Sequence, residues 1–213
     1  MSLTFYTSPM STATVCEQVI GELDIPCDYV QMNLRAGDTR KPEFLAINPN
    51  GLVPTIVHDG VVVWESVAVT SYLGETFGVE KGLWPAPGGK RAEAMKWLVW
   101  GHANVTPDIG RWQRASNAQW GAAEVGNEAA AEAGKKSVLE KLAILDAHLA
   151  KNEYLAGSFT LADAHLNSLV DWTTHLGVDL SAFPHLQAWN KRCSGRPVYQ
   201  KVMAKQMAQM QAS

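Results

Sequence analysis

Residues 48–66 read Asn-Pro-Asn-Gly-Leu-Val-Pro-Thr-Ile-Val-His-Asp-Gly-Val-Val-Val-Trp-Glu-Ser, and most of the architecture follows from them. Asn48-Pro49-Asn50-Gly51 is a turn signal, because Asn and Gly accept left-handed backbone and Pro fixes φ. Leu52 to Val57 is an apolar, β-favouring run with a proline inside it. Asp59-Gly60 separates that run from Val61-Val62-Val63-Trp64, which is the spacing of a two-residue β-hairpin. Glu65-Ser66 then opens a helix with Val69, Tyr72, Leu73 and Phe77 on one face. Pro54 is the odd residue. Proline offers no N–H to a ladder and belongs at edges, strand starts or bulges. It leaves Val53 with backbone groups that the sheet does not use. A cis Val53–Pro54 bond would bend the chain sharply and turn those groups toward solvent or a ligand.

Toward the amino terminus, Leu3 to Tyr6 is a short strand that stops at Thr7-Ser8-Pro9. A helix follows, with Val15, Cys16, Val19, Ile20 and Leu23 on its buried face and Ser11 or Thr12 as N-cap. Pro26 closes this unit, and Asp28 to Leu34 alternates as a second strand. Arg35 to Arg40 is polar and irregular, and Pro42 to Ala46 makes a helical turn. Residues 1–80 thus run β-α-β-α-β-β-α, a mixed α/β unit. Leu83 to Lys90, rich in Pro and Gly, reads as a linker within 81–90. Beyond it no strand is expected. Helical patterns cover 92–110, with Pro107 kinking or ending the first of them. Others cover 124–149 (apolar stripe Val138, Leu142, Leu145, Leu149), 161–176 and 185–201. Residues 91–213 are therefore expected to form an all-α domain.

Composition narrows the class. The chain has 213 residues, 46% apolar and 18% charged, which excludes global disorder. A net charge of −3 disfavours a nucleic-acid binder. Residues 1–80 hold ten acidic and three basic side chains, net −7, and residues 81–213 are net +4. The three cations of the acidic part, Arg35, Arg40 and Lys41, fall within residues 35–41. They form either a solvated loop or a positive spot that receives an anion. Cys16, Cys27 and Cys193 are odd in number and far apart, so neither a disulfide framework nor a zinc ribbon is expected, and a reducing cytosol is. Met1 to Ser11 lacks the marks of a signal peptide, no apolar run approaches membrane-spanning length, and the six histidines show no metal-ligand spacing.

Three ordered motifs resemble one family over nearly the whole chain, the cytosolic glutathione transferases, serine-type and phi-like or of a related bacterial class. They are Asn48 to Pro54 followed by Trp64-Glu65-Ser66; Gly157-Ser-Phe-Thr160-Leu-Ala-Asp163; and Phe183-Pro-His-Leu-Gln-Ala-Trp189. The resemblance implies a thioredoxin-like glutathione-binding domain followed by the helical one. It also implies glutathione as co-substrate with no tightly bound cofactor, and a cytoplasmic homodimer working in detoxification. Thr160 and Asp163 have the spacing of a capping box, with Asp in place of the usual Glu or Gln, and their role is folding.

By the same resemblance Val53, before Pro54, pairs its backbone with the cysteinyl part of glutathione, as a strand added to an edge. Ser66, at a helix start, holds the γ-glutamyl carboxylate, and Glu65 meets the ammonium side. Arg40 or Lys41 faces the glycyl carboxylate. Leu52 departs from classes that have a polar residue there. Pro9-Met10-Ser11-Thr12 resembles the first helix start of serine-type enzymes, so Ser11 is expected to donate to the glutathione sulfur, with Ser8 and Thr12 as rival hydroxyls. Free thiols titrate near 8.5, and a donor at a helix N-terminus stabilises the thiolate. Met10, Trp100, Arg111 and Trp112 are expected to border the pocket for a small hydrophobic electrophile. The alternatives are glutathione-dependent isomerisation, dehalogenation or ether cleavage on the same thiolate, or a binding module that kept the fold without turnover.

Overall fold

A computed structural model describes residues 2–116 and 127–212. In residues 1–86 the strands are β1 (Leu3–Thr7), β2 (Asp28–Gln31), β3 (Thr55–His58) and β4 (Val61–Trp64), in the order β2-β1-β3-β4. β1 runs parallel to β2, with Thr4 opposite Asp28, and antiparallel to β3, with Phe5 opposite Ile56. β3 and β4 form the expected hairpin, with His58 opposite Val61. Period-two burial explains the pairing: Leu3, Phe5 and Thr7 point inward along β1, and Phe5 meets Ile56 where both are fully buried. Helix α1 (Ala13–Leu23) covers the sheet with Val15, Cys16, Val19, Ile20 and Leu23. Helix α2 (Pro42–Leu45) is a single turn, and α3 (Ser66–Leu73) buries Val69 and Leu73 before continuing as a π turn over Gly74–Gly78. Gly74 is required there, since a Cβ would sit 2.6 Å from the buried Trp84 ring.

Two strand ends differ from expectation. β2 stops at Gln31 rather than Leu34, because Asn33 and Asp38 divert the backbone. Asn33 N–H donates to Asp38 Oδ2 at 2.8 Å and Asn33 Oδ1 accepts from Ala36 N–H at 2.9 Å. β3 begins only at Thr55, after a cis Val53–Pro54 bond.

Residues 87–193 form a second compact unit. It contains α4 (Gly89–Trp100), a π turn over Gly101–Val105, α5 (Thr106–Ser116), α6 (Glu128–Leu149), α7 (Leu161–His175) and α8 (Pro184–Ser194). Pro107 does not end the helical path. The residues just before it form the π turn over Gly101–Val105, so the helical ladder has already left its regular spacing where the proline lacks an N–H. Residues 124–126 of the expected 124–149 helix lie outside the described residues. Gly134 brings α6 against α5, since a Cβ there would lie 2.8 Å from the Trp112 backbone nitrogen. The unit holds no strand among the described residues.

The expected helix over 185–201 is two helices, α8 and α9 (Pro197–Ala212), because Gly195 and Pro197 break it. Residues 194–213, grouped by sequence with the helical part, cluster instead with residues 1–86. Charge accounts for this. Arg196 grips Glu22 of α1 with two bonds of 2.7 and 2.5 Å, and Lys205 pairs with Glu17 of α1 at 2.5 Å. Part of the acidity counted in the first eighty residues is thus neutralised by Arg196 and by Lys205 of α9 in the same chain. No described helix is long and apolar enough to cross a membrane.

Candidate functional site

Asn48 organises the loop that carries the proline. Its Nδ2 donates to the Leu52 carbonyl at 2.8 Å and to Thr55 Oγ1 at 2.9 Å, while its Oδ1 accepts from Asn50 N–H at 3.0 Å. Buried at 1% exposure, it satisfies the Leu52 carbonyl and the Asn50 N–H of the loop before β3. Sequence reasoning read Asn48 only as a turn signal. The available clue was its spacing from Asn50, since an Asx side chain accepts from the backbone two residues on. Leu52 stands exposed beside this loop, and Val53 and Pro54 are buried.

The first turn of α1 lies against the same step. The Thr12 hydroxyl donates to the Val53 carbonyl at 3.1 Å. Ser11 Oγ donates to the Ser8 carbonyl at 2.7 Å and accepts from Ala13 N–H at 3.2 Å. Accepting that N–H draws density from Ser11 Oγ and makes its O–H a better donor. Met10, just before it, has a left-handed backbone, φ 49°, and is partly buried. Among the described residues Val53 N–H has no hydrogen-bond partner. Tyr6 lies inside β1, edge-on to Phe44.

One helical turn into α1, Cys16 Sγ contacts the Ser66 carbonyl at 3.7 Å, which joins α1 to the start of α3. Burial pushes this thiol far above its usual range, so Cys16 is core and not a nucleophile. Glu65 is exposed with φ 73° and ψ 125°, a sparsely populated conformation for a residue with a Cβ. Such strain costs roughly 1–3 kcal/mol and persists where surrounding structure imposes it. It turns the chain so that α3 begins at Ser66 with its first amides facing outward from the helix.

Of the two nearby cations, Lys41 is compensated: it pairs with Asp38 at 2.7 Å, and that bond raises its pKa. Arg40 donates through Nη1 to the Asn50 carbonyl at 3.1 Å and is otherwise exposed. Gly51 makes this possible with φ 62°; a Cβ there would stand 2.6 Å from Arg40 Nη1 and 2.8 Å from the Thr39 carbonyl. Gly51→Ala is expected to lose about 2 kcal/mol, from left-handed strain of about 1–2 kcal/mol and this overlap. Thermal unfolding checks it, and a loss under about 0.5 kcal/mol would mean that the loop yields freely.

Helix α1 thus meets Val53 through Thr12 and the start of α3 at Ser66 through Cys16, and Arg40 is fixed to the loop that carries Val53. Met10 belongs to the first unit, whereas Trp100, Arg111 and Trp112 belong to the second. Within the second unit Trp100 packs edge-on to Trp97 at 5.1 Å, and Arg111 is paired with Asp108 at 3.0 Å. Trp112 is buried where α5 meets Gly134. Among the described residues no His, Cys, Asp or Glu cluster could hold a metal.

Comparison with known proteins finds two family domains in this chain. The glutathione S-transferase N-terminal domain matches residues 1–75, and the glutathione S-transferase C-terminal domain matches residues 106–197. Glutathione S-transferase GstB of Escherichia coli is 32% identical over 193 residues, covering 85% of this chain and 88% of that protein. Glutathione S-transferase 3 of Zea mays is 32% identical over 215 residues, covering 95% and 93%. The solved structure of the glutathione transferase URE2P8 from Phanerochaete chrysosporium, with oxidized glutathione, has a TM-score of 0.90 at 22% identity. It covers 99% of this chain and 97% of its own. At that identity the likeness establishes the fold.

Proposed function

We propose, because this chain belongs to the glutathione S-transferase family, that it binds glutathione along the Val53–Pro54 step and ionises its thiol beside Ser11. The thiolate then attacks a small hydrophobic electrophile, forming a carbon–sulfur bond as the leaving group departs or a proton is taken up. The observation that carries this reading is the bond from the Thr12 hydroxyl to the Val53 carbonyl, which fixes the start of α1, with Ser11 next to Thr12 in sequence, against the Val53–Pro54 step. A peptide ligand laid along Val53 would find its N–H unused and its carbonyl with a second lone pair. Ser66, at the start of α3, suits a carboxylate by dipole and open amides, each contribution worth about 0.3–1 kcal/mol. Arg40 serves the glycyl carboxylate better than Lys41, whose charge Asp38 already meets. Ure2p, solved in complex with glutathione and with S-hexylglutathione, shares this fold.

The reading extends to a cytoplasmic homodimer in detoxification. Isomerisation, dehalogenation or ether cleavage would use the same thiolate, and product analysis separates them from conjugation. The test of the common core is ultraviolet thiolate absorbance of glutathione bound to the protein. The bound thiol is expected to be largely ionised at pH 7, against about 8.5 for a free thiol. A bound thiol that titrates at the free value, or no binding at millimolar glutathione, would leave a fold without this chemistry.

A further inference from the structure

The last helix reaches the segment that carries Ser11. Gln206 of α9 is 1% exposed, and its Oε1 accepts from Met10 N–H at 2.7 Å and from the Thr14 hydroxyl at 3.2 Å. One oxygen thus holds the chain immediately before Ser11 and again three residues after it. The amide's other end donates from Nε2 to Glu17 Oε2 at 2.5 Å. Glu17 is itself 2% exposed, and its Oε1 takes Lys205 Nζ at 2.5 Å. Lys205 also lies 4.2 Å over the Tyr29 ring, which shields the pair further.

The chemistry of the gap selects an amide. Met10 N–H can only donate, and the Glu17 carboxylate can only accept when ionised. A side chain between them must accept at one end and donate at the other. Gln does both, a carboxylate would oppose Glu17, and an apolar residue would leave Met10 N–H unpaired and take one donor from Glu17, which keeps only Lys205. Met10 needs holding, because its φ of 49° is unfavourable for a residue with a Cβ.

We infer that Gln206 is a positioning residue for Ser11: by bracketing Met10 and Thr14 it fixes where the Ser11 hydroxyl points. This rests on the reading of Ser11 as the thiol's donor, and the readouts are chosen to separate the two. In Gln206→Met, hydrogen exchange at the Met10 amide is expected to speed at least tenfold while amides of the sheet change less. The titration midpoint of bound glutathione is expected to rise, and kcat to fall about tenfold with KM for glutathione nearly unchanged. The exchanged pair, Glu17→Gln with Gln206→Glu, restores a donor facing an acceptor and is expected to recover both readouts. Thr14→Val removes only the longer bond without touching α9, and gives a smaller change in the same direction.

Unchanged Met10 exchange and thiol titration in Gln206→Met overturn the inference. So does an exchanged pair that folds yet recovers neither, since the loss is then one of packing. Faster Met10 exchange with an unmoved thiol midpoint overturns the link to Ser11. If the wild-type protein fails to ionise bound glutathione, the proposed function falls by that result alone, and Met10 exchange still decides whether Gln206 holds the segment.

Discussion

Asp163→Ala is expected to destabilise the fold by about 4 kcal/mol, within the range of about 3–5 kcal/mol for breaking a buried charged network. Asp163 has no exposed surface. Its Oδ1 accepts from Leu155 N–H and from Trp189 Nε1, and its Oδ2 accepts from Thr160 N–H and the Thr160 hydroxyl, all at 2.9 Å. Those donors belong to the segment after α6, to the cap of α7 and to α8, so one carboxylate ties three parts of the second unit together. Burial pushes its carboxyl above the usual carboxylate range, and the four donors oppose that by favouring the ionised form. Alanine would orphan all four donors at about 1–3 kcal/mol each, less what water entering the space recovers. Asp163→Asn keeps an acceptor for one pair of donors but points an NH₂ at the other, so about half the loss is expected. Urea unfolding checks both: with a slope of about 2 kcal/mol/M, the alanine midpoint should fall by about 2 M. Midpoints within about 0.3 M of wild type would show that the network is dispensable.

Only the capping-box part of that network was legible in the sequence, because Thr160 and Asp163 are three residues apart and helix caps are local chemistry; the bonds from Leu155 and Trp189 were not. The Asp59-Gly60 hairpin was legible too, as was the break at Pro54, where one residue type limits the backbone by itself. What the sequence left closed depends on residues far apart in the chain. Nothing near Thr12 announces a bond to Val53, 41 residues on, and nothing near Met10 points to Gln206, 196 residues on. Grouping 194–213 with the helical part followed from composition, which cannot reveal that Arg196 and Lys205 meet Glu22 and Glu17. The positive φ of Glu65 is likewise invisible, since Glu carries no preference for it and tertiary packing imposes it. Lys41 and Trp112 mark a different limit. Residue type suggests a binding cation and an aromatic wall, but type does not say whether Asp38 or the α5–α6 contact already occupies them.

Ser11→Ala is expected to raise the pKa of bound glutathione by about 1–2 units, each unit being about 1.4 kcal/mol, and to slow conjugation about a hundredfold. Glutathione affinity should change little, because the contacts proposed for Val53, Ser66 and Arg40 remain. Three hydroxyls compete for this role, and their bonds rank them. Thr12 donates to Val53, so its proton is committed to holding the strand step. Ser8 is 7% exposed and supplies its carbonyl to Ser11. Ser11 also has an acceptor already, the Ser8 carbonyl, but that acceptor is neutral. A thiolate is charged, and charge-assisted bonds are roughly twice as strong as neutral ones, so the Ser11 proton should transfer its allegiance when the sulfur ionises. Ala13 N–H, donating into the same oxygen, helps by making that proton more acidic. Loss of the local cap costs about 1 kcal/mol, so both proteins must be compared well below their unfolding temperatures. Thr12→Val serves as the control: it should shift the thiol by less than Ser11→Ala while weakening glutathione binding more. If the order reverses, Thr12 is the donor to sulfur. If neither substitution moves the thiol, the amides at the start of α1 stabilise it unaided and Ser11 is a helix cap alone.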